Sequence, residues 1–247
     1  MRNGFRIYDT HTHVGHARHS GRTCSADQLL AAMDRCGVDR AVVFPFPIVD
    51  DHRAAHDEVG RAVRQHPDRF TGAACMYPYV SEREFRDEVR RSVEEFGFRG
   101  LKFQPQYQPL NPLSPRSDFL FETAVENDLT LICHTGTGVP FALPSLYIMP
   151  ARKFPDLRIV LGHAGGGVYV AEAIVAAAVC PNIYIDLSSL MPHHILEVLQ
   201  YVPASRLMAG SDLLESMETE ISKLLSLEAS EATRRQILWE TAERLFH

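Results

Sequence analysis

Two histidines spaced two apart, His11 and His13, follow a short apolar run beginning at the N-terminus, and Asp9 lies just ahead of them. His134 ends the run Leu131-Ile132-Cys133, His163 ends Ile159-Val160-Leu161-Gly162, and Asp212 follows Leu207-Met208-Ala209-Gly210-Ser211. Imidazole and carboxylate are ligands for a divalent cation, and such a cation brings the pKa of a bound water from about 15.7 toward 7. On a strand, residues two apart share a face, so His11 and His13 point the same way. Lys102 and Gln104 share a face of another predicted strand for the same reason. A lone histidine at a strand end is most often structural. Several, all at ends of strands facing one way, are the pattern of a catalytic mouth.

The elements that must position these residues alternate along the chain. Apolar runs predict strands over residues 5–10, 40–46, 70–76, 100–104, 129–134, 158–163, 183–187 and 206–210. Helical patterns fill the intervals over residues 25–36, 51–65, 81–96, 118–127, 145–154, 167–179 and 192–201, and two closing helices cover 215–227 and 230–246. Ser25 is the expected N-cap of the first helix and Gly37 its stop. Continuous apolar strands between amphipathic helices predict a parallel sheet covered on both faces. Eight such units in 247 residues favour an α/β (β/α)8 TIM barrel, one domain over residues 1–247. The proline-rich stretch 104–116 follows the fourth strand and is the longest irregular segment, placing it on the catalytic face.

Composition narrows the function classes. A net charge of −6 with scattered basic residues argues against a nucleic-acid partner. No run nears the ~18 apolar residues of a membrane span. The five cysteines are odd in number and lack C-x-x-C spacing. With no room for a signal peptide before the first strand, a cytoplasmic protein with reduced thiols is expected. No G-x-G-x-x-G follows a strand, and no G-x-S-x-G elbow or phosphate loop is present.

Other polar residues invite bland readings. His16 and His19 fall in a loop and are expected to be exposed. His52 and His56, four apart on a helix, lack a third ligand and are expected to face solvent. Arg90-Arg91 and Arg234-Arg235 read as solvated helix faces, and His193-His194 as a helix opening at the active face. Asp9, Asp186 and Ser188 are expected to orient ligands from behind. Cys133 should point into the helix layer.

The chain resembles the amidohydrolase superfamily, in its amidohydrolase-related branch of barrel hydrolases and decarboxylases. The matching pieces are Asp9-Thr10-His11-Thr12-His13, Gly100-Leu101-Lys102-Phe103-Gln104-Pro105, Cys133-His134-Thr135-Gly136, Leu161-Gly162-His163-Ala164-Gly165-Gly166, Tyr184-Ile185-Asp186-Leu187-Ser188 and Gly210-Ser211-Asp212. The resemblance implies that His11, His13, His134 and Asp212 hold one divalent ion, with zinc expected. It implies His163 beside the bound water as a catalytic group, with Asp212 taking the proton. Lys102 is then a substrate-facing ammonium rather than a carbamate, with Gln104 beside it. Where relatives have His-Pro after that lysine, Phe103-Gln104-Pro105 stands here, which alters the pocket. The expected reaction is hydrolysis of a C–O or C–N bond in a small-molecule lactone, ester or amide. The alternative is non-oxidative decarboxylation of an aromatic or unsaturated acid, with Lys102 or Arg152 holding the carboxylate. A homodimer is expected by family analogy.

Overall fold

Alternation along each strand decides which side chains enter the barrel. On β3 (Arg40–Pro45), Ala41 and Val43 join the large outer core while Val42 and Phe44 join a smaller inner one. On β6 (Thr130–His134), Leu131 and Cys133 face outward and Ile132 inward. Cys133 therefore packs in the helix layer, as its position predicts.

The structure, a computed structural model, describes residues 1–247. Between β1 (Tyr8–His16) and β3 lie β2 (Thr23–Cys24) and α1 (Ala26–Cys36), and α2 (His52–Gln65) follows β3. Next come β4 (Phe70–Ala74), α3 (Glu82–Phe96), β5 (Gly100–Phe103), α4 (Asp118–Glu126), β6 and α5 (Ile148–Lys153). The last units are β7 (Ile159–Gly162), α6 (Val170–Val179), β8 (Ile183–Asp186), α7 (Pro192–Tyr201), β9 (Leu207–Met208) and α8 (Met217–Leu225). Strands β1 and β3 to β9 pair in parallel in chain order, giving the eight expected βα units of a TIM barrel. The ends meet through backbone bonds: Thr10 N–H donates to the Ala209 carbonyl at 2.8 Å, and Asp212 N–H to the His11 carbonyl at 2.8 Å.

Three details depart from the sequence reading. The first strand begins later and runs through His16, turning back as an antiparallel hairpin with β2. A register shift between Asp9 and Thr12 bulges β1 where it carries His11. The closing helix is also not uniform. It runs as α9 (Glu231–Arg235), one π turn over Gln236–Glu240, and α10 (Thr241–Phe246). Trp239, Leu245 and Phe246 pack on Tyr8, Val42 and Met208, so this helix plugs the end of the barrel opposite the histidines. The N-cap of α1 is as expected: Ser25 accepts from Gln28 N–H, and the Gln28 side chain answers to Ser25 N–H.

Candidate active site

At the open mouth, His11 Nε2 and His13 Nε2 lie 3.5 and 3.4 Å from Asp212 Oδ1. A tetrahedral ion with ligands about 2.0–2.1 Å away separates neighbouring donors by about 3.3 Å. These three groups offer atoms mutually within 4.8 Å, the span of one cation. Each ring is held by its other nitrogen. His11 Nδ1–H donates to Asp186 Oδ2 at 2.7 Å, and His13 Nδ1–H to the Pro45 carbonyl at 3.3 Å. Since the acceptors there carry no proton, both Nε2 atoms present lone pairs to Asp212.

His163 and His134 stand beside this set. His163 Nδ1–H donates to Ser188 Oγ at 2.7 Å, and Ser188 Oγ–H donates in turn to Asp186 Oδ2 at 3.0 Å. Asp186 thus orients His11 directly and His163 through Ser188, the supporting role its position suggested. The His163 ring centre is 4.5 Å from that of His11 and 4.9 Å from that of His134. His134 donates from Nε2 to the Thr137 carbonyl at 2.8 Å, leaving Nδ1 buried and without a partner. His134 falls outside the tight three-atom set, although its orphaned lone pair is what a cation would satisfy. The donor chemistry and that orphan fit a divalent ion held by His11, His13 and Asp212, with His134 alongside.

Electrostatics agree with this arrangement. Burial lowers His13 to about 4, against the opposing pull of Asp212. It lowers His134 to about 3, with Lys102 adding to the effect. His163 is likewise pushed well below its ordinary value by burial and by His11. Neutral imidazoles are the ligating form. Burial works to raise Asp212, yet its contact with His13 and the nearby imidazoles of His163 and His11 hold it well below the carboxylate range. Asp9, buried behind His11, is raised to about 7, with Ser211 and the His11 amide opposing the effect of burial.

The backbone here is forced. His163, Ala164, Ser189 and Asp212 all adopt positive φ, of 65°, 46°, 61° and 65°. Such conformations cost on the order of 1–3 kcal/mol each and cluster where function over-determines geometry. Gly210 marks a close approach, since a Cβ there would lie 2.3 Å from Asp186 Oδ1 and 3.0 Å from His11 Cβ.

Above the histidines opens a cavity of about 650 Å³, lined by His13, His134, His163, Asp212, Gln104 and Arg22 among others. Gln104 Oε1 is buried without a hydrogen-bond partner. Lys102 is not among the lining residues. It points into the barrel one step deeper, with Nζ donating to His11 Nε2 at 2.8 Å and lying 5.0 Å from the Phe44 ring centre. Burial lowers its pKa, against the pull of Asp212. Arg152 is exposed on α5 and does not line the cavity. The one guanidinium that does is Arg22, in the hairpin turn before β2, which sequence reasoning passed over. An unpredicted hairpin carries it, so the sequence held no signal for its place.

Other expectations are corrected. His56 is fully buried: Nδ1–H donates to Glu88 at 2.9 Å and Nε2 accepts from Cys75 N–H at 3.0 Å. Arg91 is engaged by Glu88, Asp57 and Glu95, and Arg234 donates to the Leu225 carbonyl, so neither is a solvated charge. His16 and His19 are exposed as expected, but His19 stacks on Tyr107 at 4.1 Å and lines the cavity. His193 and His194 do not line it.

Comparison with known proteins places the chain. It is 28% identical over 154 residues to gamma-resorcylate decarboxylase of Rhodococcus jostii (strain RHA1), a match taking in 49% of this chain and 46% of that protein. The match thus spans about half the length of that curated relative. The 5-carboxyvanillate decarboxylase of Novosphingobium aromaticivorans, solved with manganese and 4-hydroxy-3-methoxy-5-nitrobenzoic acid, superposes with a TM-score of 0.80 at 17% identity, covering 98% of this chain and 96% of that one. The 4-oxalomesaconate hydratase of Rhodopseudomonas palustris superposes with a TM-score of 0.74 at 18% identity, covering 97% and 95%. Both are similar in fold. A profile of the amidohydrolase family matches residues 8–247, which takes in every residue of the mouth described above. By that match over nearly its whole length, the chain belongs to the amidohydrolase family.

Proposed function

We infer that the protein is a divalent-cation-dependent, non-oxidative decarboxylase of a small aromatic acid. The observation that carries this reading is the charge inventory of the cavity. Among its lining residues Asp212 is the one carboxylate and Arg22 the one guanidinium, facing a pocket that also offers the Phe46 and Tyr107 rings. That is a site for a planar anion with one carboxylate placed to move protons. Support comes from the sequence match to a decarboxylase. The hydrolase expected from the sequence shares the same residues but leaves the guanidinium without a task.

When bound, the cation supplies Lewis-acid stabilisation of negative charge on substrate oxygens; manganese, which the Novosphingobium enzyme was solved with, stands beside zinc as the ion to test. His11, His13 and Asp212 would hold it, with His134 adjacent. Asp212 is the acid–base group: it takes a proton from a substrate hydroxyl and returns it to the ring carbon bearing the carboxylate. The bond to the carboxyl carbon then breaks, its electron pair restores the ring as a phenolate, carbon dioxide leaves, and the phenolate takes a proton from solvent to give the neutral phenol. Neutral His163 offers its Nε2 lone pair as an acceptor for a substrate hydroxyl. Gln104 supplies the other free acceptor.

The test is to reload purified protein with manganese or zinc and offer hydroxybenzoates, lactones, esters and amides in ¹⁸O-labelled water. Carbon dioxide release with no label in the product is expected. Label entering the product from a lactone, ester or amide, without carbon dioxide from any acid, would overturn the reading in favour of hydrolysis.

A further inference from the structure

Arg22 borders two rooms. It lines the main cavity and also a side cavity of about 240 Å³, which shares His13, Phe46, Asp212 and Leu213 with the first and adds Glu215. Its guanidinium is paired with Glu215, which lines only the side cavity. The two side chains are half exposed, at 47% and 59%. Ion pairs this exposed contribute little to stability, so holding the fold together does not account for the pair. Its position does: a carboxylate already sits on the one cation that faces the main cavity.

We propose that Arg22 is the specificity-determining group for a substrate carboxylate and that Glu215 is a built-in competitor, holding the guanidinium until an acid in the main cavity displaces it. The ligand class is a planar aromatic monoanion, whose carboxylate receives two parallel N–H bonds from the guanidinium that Glu215 now holds through Nη1 alone. The uncharged product of decarboxylation lacks that group, and Arg22 returns to Glu215 as the product leaves. The assignment rests on the decarboxylase reading only for the nature of the acid.

Calorimetric titration of the metal-loaded protein with salicylate and with the neutral isostere salicylamide tests it. Arg22→Met should weaken salicylate binding about ten- to a hundredfold and leave salicylamide within about twofold. Arg22→Lys should fall between, keeping the charge but losing the fork. Glu215→Gln should tighten salicylate roughly two- to fivefold, the most that an exposed ion pair holds back, again sparing salicylamide. Glu231→Gln, which removes an equal charge from the distant Glu231–Arg235 pair, should change neither. Equal losses for both ligands in Arg22→Met, no loss for salicylate, or equal tightening by Glu231→Gln would overturn the proposal. The reaction fails separately: selective salicylate binding without carbon dioxide release keeps the anion site and removes the decarboxylase.

Discussion

Two pairs of histidines, similar on paper, meet opposite fates in this molecule. His11 and His13 at the barrel mouth each spend one nitrogen on a supporting acceptor and turn the other toward Asp212, with Lys102 Nζ also reaching His11 Nε2. His56, from the pair on α2, spends both: Glu88 takes its Nδ1 proton and the Cys75 amide fills its Nε2. His11 and His56 are equally buried. Burial therefore does not separate a reactive histidine from a structural one. What the second nitrogen faces does: at the mouth it turns to Asp212 beside the cavity, where His134 Nδ1 is also left without a partner.

The contrast is sharpest at Asp212, where the His11 and His13 Nε2 atoms converge. Asp212→Asn should lower turnover by about 10²–10⁴-fold, the ordinary worth of an acid–base group. Asn tolerates the positive φ of this position, so the melting temperature should stay near that of the parent. Steady-state kinetics beside a thermal melt measures both. Retained turnover would remove Asp212 from its role.

Behind the mouth, Asp186→Asn disturbs the acceptor that fixes His11 and, through Ser188, His163. Cation affinity should fall about ten- to a hundredfold, read by chelator competition. Gly210→Ala should do the same by a different route, because the added methyl must displace the Asp186 carboxylate. If either variant holds its ion as tightly as the parent, the orienting chain through Asp186 is wrong.

On α2 the expectation inverts. His56→Ala leaves the buried Cys75 amide unpaired and opens a hole beside Glu88. A loss of about 3 kcal/mol is expected, or about 6–12 °C in melting temperature for a domain of this size. Metal content measured by elemental analysis should be unchanged, and a variant that also loses its ion would erase the distinction between the two pairs.

The smallest effect concerns Glu88 itself. Burial works to raise its carboxyl, but hydrogen bonds from His56 and Arg91 lower it to about 2 from 4.5. A depressed carboxyl gives stability that is whole above its unfolded pKa and is lost as pH falls through its folded one. Glu88→Gln should therefore narrow its stability gap to the parent as pH drops from 4.5 toward 2. Melting curves across that window check it; a gap that widens toward acid would contradict the sign.

These pairs also show what was legible beforehand. The eight strands and the clustering of His11, His13, His163 and Asp212 follow from local periodicity and from strand ends, which sequence displays. The supporting Asp186 and Ser188 were readable because they share one strand end. His56 was not: its partners lie on α3 and at the end of β4, and spacing of four on a helix says nothing of either. Arg22 was missed because β1 runs past its apolar stretch into a hairpin whose pairing is set by tertiary context. Lys102 was placed on the correct strand and face, but depth along the barrel axis, which separates it from Gln104, is not written in alternation.

The backbone bonds joining Thr10 to Ala209 and His11 to Asp212 carry one more implication. The donors converging on a cation come from the two extremities of the fold, some 200 positions apart in sequence (His11 and Asp212). An ion seated between them would rivet the seam of the cylinder, stabilising only the fully zipped form in proportion to free ion over its dissociation constant. Loading would then report the last stage of assembly, and stripping the ion would loosen the molecule first along that join.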